Sequence, residues 1–285
     1  MVSPVARWRK ARGGGRVIPE LPSSLVVEDD QIDLWWIDPR EIQAPALLAA
    51  LAGWLSAEEE ARRGRFLFER HRHDFLIARG LVRGVLSRYT GVEPARLCFT
   101  TGPHGRPELA PELGAAGLRF NLSHTEGRAV LVVASDEVGV DVEASARKGD
   151  PVKIAAHYFA AAEVAALDEL ADDAARRERF FTYWTLKEAY IKARGVGVGL
   201  GLDNFWFDLG RCEASDVSAG SPGVDGWSTI AATGEQIRFA PGFADEPSAW
   251  FFTKMSFGTG FPGAIAARRL GRAAPTVRAR AAALG

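Results

Sequence analysis

Three acidic residues and a lysine stand at spacings that could bring them to one point. In GVDVE, Gly139 to Glu143, Asp141 and Glu143 alternate with Val140 and Val142, so a strand sends both acids to one face and both valines to the other. Farther along, Phe180 to Leu202 reads FFTYWTLKEAYIKARGVGVGLGL. If its first part is a helix, Trp184, Glu188 and Lys192 recur at i, i+4 and i+8 and share one stripe. Three carboxylates converging on one point repel each other unless a cation sits between them, and oxygen donors without thiol or imidazole favour magnesium. A phosphate-bearing substrate is the usual further partner of such a centre. Each part also has a plainer reading. Acids on a strand are commonly solvated, and Glu188 followed by Lys192 has the favoured order of a surface i, i+4 ion pair. An ion pair leaves unexplained the glycines that follow, Gly195, Gly197, Gly199 and Gly201, which suit a loop whose backbone approaches another group closely.

The elements that would hold these residues follow from periodicity and punctuation. QIDLWWIDP alternates Ile32, Leu34 and Trp36 with Asp33, Trp35 and Ile37 in a mostly apolar strand closed by Pro39. A helix is expected over about 43 to 53. Ser56 with Glu59 three residues on makes a capping box that opens a charged helix, SAEEEARRGRFLFERHRHDF. From Asp74 the pattern becomes a strongly apolar helix that stops at Gly91. RLCFTT, a turn at GPHGRPEL, and a hairpin of LRFNLSH and RAVLVVAS follow. The second part repeats the recipe: strand GVDVE, a helix over 151–171, a helix over 176–194, then strands near NFWFDL, STIAA, QIRFA, SAWFFTKMSF and GAIAARRL. A slide of 104 residues places Gly91 on Gly195, Arg83 on Lys187 and Arg88 on Lys192, which suggests an old duplication. The expected organisation is a flexible arm over 1–24, a first half over 25–136, a second half over 137–270 and a loosely ordered tail over 271–285.

Composition excludes several classes of function. With 35 basic and 36 acidic residues in 285, the net charge of −1 offers no general attraction to nucleic acid or acidic membranes, so anion binding must come from local clusters. Cys98 and Cys212 are too few for a disulfide framework or a thiolate metal site and are expected as small buried groups, which fits a reducing cytoplasm. The basic N-terminus has no apolar run behind it, and no stretch is apolar for 18 residues, so neither a signal peptide nor a membrane span is expected.

Further polar groups gather in the first half. NLSH, Asn121 to His124, ends a strand where Ser123 and His124 can meet a ligand, although a lone histidine there is commonly structural. GRP places Arg106 in a turn. Arg62, Arg63, Arg65, Arg70, Arg72 and Arg79 read as a charged helix face that Glu58, Glu59, Glu60 and Glu69 could pair.

Taken together, GRP, NLSH, GVDVE and, about 40 residues later, WTLKEAYIKARGVGVGL resemble the Sfp-type 4'-phosphopantetheinyl transferases. That family's pattern is G(I/V)D(I/V)E followed by WxxKEAxxKxxGxG(L), and the likeness spans roughly residues 30 to 268. The resemblance implies an α+β fold, a pseudo-dimer of two similar α+β halves with the active site in the cleft between them. It implies magnesium-dependent transfer of the phosphopantetheine arm of coenzyme A, the co-substrate, to a serine of an apo acyl or peptidyl carrier protein, releasing adenosine 3',5'-bisphosphate. A cytoplasmic monomer is expected. Carried over by position, Asp141, Glu143 and Glu188 match the magnesium ligands, Asp141 also lying at the coenzyme, and Lys192 matches the lysine beside the reacting phosphate. Ser123 and His124 match positions that hold the coenzyme's phosphates. Arg106, taken as a further contact to the coenzyme, stands where the family often has lysine in a GKP turn, exchanging a point charge for a fork. Arg62 falls near a phosphate-binding basic position of the first half. Ala160, in AHYFAAAEVAAL, departs from a bulkier, more polar run. Glu188 is the candidate base for the serine, directly or through a water. Two rivals use the same residues: a magnesium-dependent pyrophosphatase with water as nucleophile, and a non-catalytic carrier-binding subunit, in which loss of an acid would be expected.

Overall fold

A strand apolar on both faces belongs inside a sheet, and β1 (Gln31–Ile37) takes that place. The computed structural model describes residues 25–284 apart from 103, 116, 148, 220–224 and 270–272; the arm expected over 1–24 lies outside the described residues. After β1 come α1 (Pro45–Ala52), α2 (Ala57–Gly64), α3 (Glu69–Thr90), β2 (Phe99–Thr101), β3 (Pro107–Leu109) and the hairpin of β4 (Arg119–Thr125) and β5 (Arg128–Ala134). The second series is β6 (Val138–Val142), α4 (Pro151–Tyr158), α5 (Ala161–Asp168), α6 (Asp173–Arg194), β7 (Phe205–Asp208), β8 (Ser215–Asp216), β9 (Ser228–Ile230), β10 (Gln236–Phe239), β11 (Trp250–Ser256), β12 (Pro262–Arg268) and β13 (Thr276–Ala281).

The architecture is mixed α+β, and its two halves repeat. The bounds of α2 and α3 moved by 104 residues give those of α5 and α6, and both long helices end on a left-handed glycine, Gly91 and Gly195. Antiparallel triplets β4-β5-β1 and β11-β12-β6 have the same order, and two-stranded ribbons β2·β3 and β7·β10 follow the long helices. The repeat extends to buried ion pairs. Glu59, the third residue of α2, reaches back to the Ser56 N–H and holds Arg83 of α3 at 2.8 Å. Glu163, 104 residues on, reaches back to the Ala160 N–H and holds Lys187 of α6 at 2.7 Å. Arg83 donates to Pro94 O and Leu97 O, Lys187 to Leu202 O and Phe205 O, so each buried cation also ties down the chain beyond its helix.

Four expectations are corrected. The charged helix breaks at 65–68, because Phe66 packs on Phe75, ring centroids 5.6 Å apart, and its carbonyl accepts Arg72 Nε; α3 therefore starts at Glu69. The helix expected over 151–171 is two helices, since Phe159 turns inward to stack on Phe180 at 5.3 Å and Glu163 caps a fresh start at Ala160. Cys98 and Cys212 are exposed. The tail expected to be loosely ordered supplies β13, which lies in the five-stranded sheet β4-β5-β1-β13-β9, parallel to β1. Its alternation of Val277, Ala279 and Ala281 with arginines carries little apolar weight, but Arg278 forms a two-pronged pair with buried Asp33 and lies 4.5 Å over the Trp227 ring. Such cross-chain partners are invisible in the tail itself.

β6 is one edge of the four-stranded sheet β6-β12-β11-β8. One core cluster joins Leu34, Val130 and Val132 of the first sheet to Val140, Val142, Phe251 and Ile265 of the second. α3 packs with Trp35, Leu131 and Val133, and α6 with Phe205, Phe252, Ala264 and Ala266. Among the described residues no helix is long and apolar enough to cross a membrane.

Candidate active site

The site begins with the seating of α6 on β6. Gly139 lets them touch, since a Cβ there would lie 2.1 Å from Ala189 O and 2.4 Å from Ala193 N. At that separation Lys192, in the last turn of α6, reaches β6, and its Nζ lies 2.6 Å from Asp141 Oδ1 and 3.3 Å from Val140 O. It also donates to Ser123 Oγ at 3.0 Å, and Ser123 in turn donates to Asp141 Oδ1 at 2.9 Å. A strand of the first half thus meets a strand and a helix of the second. Asp141 is buried, and its Oδ2 has no hydrogen-bond partner.

The other two acids lie within electrostatic reach. Glu143 is held by Trp184 Nε1 at 3.0 Å and by Arg147 Nη1 at 2.7 Å. Burial and the Asp141 charge push its carboxyl above the ordinary range, against the pull of Arg147 and Trp184. Burial, then the charges of Asp141 and Glu143, likewise raise Glu188, with Lys192 opposing. Glu143 thus feels Asp141, and Glu188 feels both, as unfavourable negative neighbours. Among the described residues no three acid, histidine or cysteine side chains are gathered as a ready-made set of cation ligands. The chemistry of the set nevertheless suits a hard divalent cation: all donors are carboxylate oxygens, one buried oxygen lacks a partner, and Arg147, which engages Glu143, is half exposed at 54%.

The first-half candidates split into two groups. His124, next to Ser123 on β4, presents an exposed edge, but the crowded cleft around it lowers its imidazole, and the nearby charges of Lys192 and Arg62 act in the same direction while Asp74 opposes. Arg62, in the last turn of α2, lies over the Phe75 ring at 5.7 Å, so it shares the His124 side of the cleft. Arg106, in the turn between β2 and β3, meets the second half directly. Its Nη1 donates to Ala193 O at 2.8 Å, its stem packs on Gly195, and its Nε is buried without a partner. It therefore ties the first-half turn to the C-terminal end of α6, the end that carries Lys192.

Several supporting residues escape a sequence reading. Asp245 Oδ2 accepts Tyr190 Oη at 2.6 Å and Trp250 Nε1 at 3.0 Å, and it pairs with Arg194, fastening the last turn of α6. Lys187, beside Glu188 in the same motif, points the other way into the Glu163 pocket. The 104-residue slide, extended from Gly91 and Gly195 back to Glu59 and Glu163, is the signal that could have found that pair. Asn121 accepts the Val140 N–H at 3.0 Å, and alternation with Ser123 could have pointed to it.

Comparisons with known proteins follow the same division. Residues 137–245 match the 4'-phosphopantetheinyl transferase superfamily, and residues 43–137 match the N-terminal region of 4'-phosphopantetheinyl transferase. The chain is 38% identical over 178 residues to the 4'-phosphopantetheinyl transferase HetI of Nostoc sp., covering 62% of this chain and 74% of HetI. It is 31% identical over 153 residues to the 4'-phosphopantetheinyl transferase Sfp of Bacillus subtilis, covering 53% of this chain and 65% of Sfp. A Xenopus laevis relative, L-aminoadipate-semialdehyde dehydrogenase-phosphopantetheinyl transferase, is 30% identical over 175 residues, 59% of this chain and 57% of its own. With both halves matched in order and HetI covered over most of its length, the chain belongs to the 4'-phosphopantetheinyl transferase family.

Proposed function

We propose that the cleft where β4 meets β6 and α6 transfers the 4'-phosphopantetheine arm of coenzyme A to a serine of an apo acyl or peptidyl carrier protein. The observation that carries this reading is the junction of Ser123, Asp141 and Lys192, with Glu143 and Glu188 beside it. In the reaction the serine oxygen bonds to the β-phosphorus of coenzyme A as the bond to the adenosine-bearing phosphate breaks, and the serine proton must be removed. Glu188, within electrostatic reach of Asp141 and Lys192, is the candidate to accept it, directly or through a water. Lys192 offsets negative charge on the reacting phosphate, and Ser123, His124 and Arg62 line the side on which the coenzyme's phosphates would lie. Magnesium, held by Asp141, Glu143 and Glu188, would supply charge neutralisation of the pyrophosphate.

In this reading residues 25–136 serve mainly as the coenzyme-contacting half and 137–270 as the acid-bearing half. One chain supplies both, so a monomer acting in the cytoplasm suffices. The test is mass spectrometry of a panel of apo-carrier domains after incubation with the chain, coenzyme A and magnesium. A gain of one phosphopantetheine on the serine is expected. Release of free phosphopantetheine from coenzyme A without any carrier would instead identify a hydrolase, and no product with any carrier would leave a binding role.

A further inference from the structure

The two sheets meet edge to edge, β4 ending one and β6 the other. Neighbouring edges normally join through a backbone ladder, but these two are joined through side chains. Asn121 Oδ1 accepts the Val140 N–H at 3.0 Å, and two residues along Ser123 Oγ accepts the Val142 N–H at 3.3 Å. Side chains on one face of a strand recur every second residue, as do the N–H groups along one edge of its neighbour. The match of these two periods sets the register between the halves. A slip of one residue would move β4 by about 3.3 Å, bring Leu122 against a buried N–H and carry Ser123 away from Asp141 and Lys192.

Ser123 sits at the junction already described, whereas Asn121 contacts none of Asp141, Glu143, Glu188 or Lys192 through its described hydrogen bond. Its amide is buried, and the Val140 carbonyl on the same residue accepts Lys192 Nζ. Val140 is therefore held from β4 on its N–H and from α6 on its C=O. We propose that Asn121 is a positioning residue: it locks β4 against β6, and so sets the distance between the coenzyme-contacting side of the cleft and the acid-bearing strand. This inference rests on the transfer reading above.

Two substitutions test it. Asn121→Ala removes the acceptor, and Asn121→Asp keeps an acceptor oxygen of the same reach. Amide hydrogen exchange at Val140 is measured beside steady-state transfer to an apo-carrier, at a temperature where both variants are fully folded by circular dichroism. In Asn121→Ala, Val140 exchange should accelerate at least about tenfold, and kcat should fall by up to about a hundredfold, the scale of an ångström-size misplacement, while KM for coenzyme A stays within about threefold. In Asn121→Asp both protection and kcat should recover substantially.

Unchanged kcat in Asn121→Ala, or a loss that disappears once the fraction folded is accounted for, overturns the proposal. So does restored Val140 protection in Asn121→Asp without restored turnover, because register would then not be what limits transfer. If the wild-type chain modifies no apo-carrier, the transfer reading fails; the Val140 exchange comparison needs no turnover and still reports whether Asn121 makes the lock.

Discussion

Lys192 Nζ lies 2.6 Å from Asp141 Oδ1, so the lysine of the long second-half helix is paired with the strand beneath it, 51 residues earlier in the chain. Its bond to Ser123 extends the same contact into the first half. A surface i, i+4 pair with Glu188 would have left Lys192 replaceable. The observed arrangement makes it the only side chain described here that hydrogen-bonds to both Asp141 and Ser123.

Lys192→Ala should slow transfer by about a hundredfold, the scale of losing one transition-state contact. Because it strips a buried carboxylate of its cation, it should also lower stability by about 1 to 3 kcal/mol when magnesium is absent. Single-turnover rates with saturating coenzyme A and carrier, beside urea melts in EDTA and in magnesium, check both. Lys192→Arg should recover stability better than rate, since a guanidinium fork does not reproduce a point charge. Near-normal turnover in Lys192→Ala would remove it from the reaction.

Glu188 is raised by burial and by Asp141 and Glu143. A raised acid binds more protons folded than unfolded, so its cost to stability is absent below the ordinary glutamate value of 4.5 and grows as pH rises through the folded value. Glu188→Gln, melted without divalent cations, should be more stable than the parent at pH 7, with the gap closing as the pH is lowered. Transfer should be lost in the same variant. A gap independent of pH would show that Glu188 is not a destabilised carboxylate.

Arg106 bonds Ala193 O and packs on Gly195, and we propose that from this position its guanidinium also reaches a phosphate of the coenzyme. Arg106→Ala should weaken coenzyme A binding about tenfold or more by calorimetry, the size of one charge-assisted hydrogen bond. With dephospho-coenzyme A the loss should be smaller. An equal loss with both compounds would assign Arg106 to holding the end of α6 instead.

Gly139→Ala places a methyl group 2.1 Å from Ala189 O, a backbone atom that can move only with the helix. The variant should lose about 3 kcal/mol or more in urea unfolding and most of its transfer activity, because lifting α6 off β6 parts Lys192 from Asp141. If it keeps full stability and rate, the close approach is not what seats the site.

Local chemistry was legible without the structure. Alternation marked β1, β4 and β6, the Ser56 and Glu59 pair marked the start of α2, Gly91 and Gly195 marked the ends of the long helices, and the spacing of Asp141, Glu143, Glu188 and Lys192 marked the residues of the candidate site. Each of these signals acts within a few residues, where dihedral preference, capping and side-chain period operate. Tertiary structure decided the partners. Periodicity says which face a residue occupies, never what faces it, so Lys192 with Asp141, Arg106 with Ala193, Lys187 with Glu163 and Asn121 with Val140 emerged only from packing. The same reason hid β13: its strand is held by β1, by Asp33 and by Trp227, all far away in the chain, and a short run of valine, alanine and arginine shows none of them.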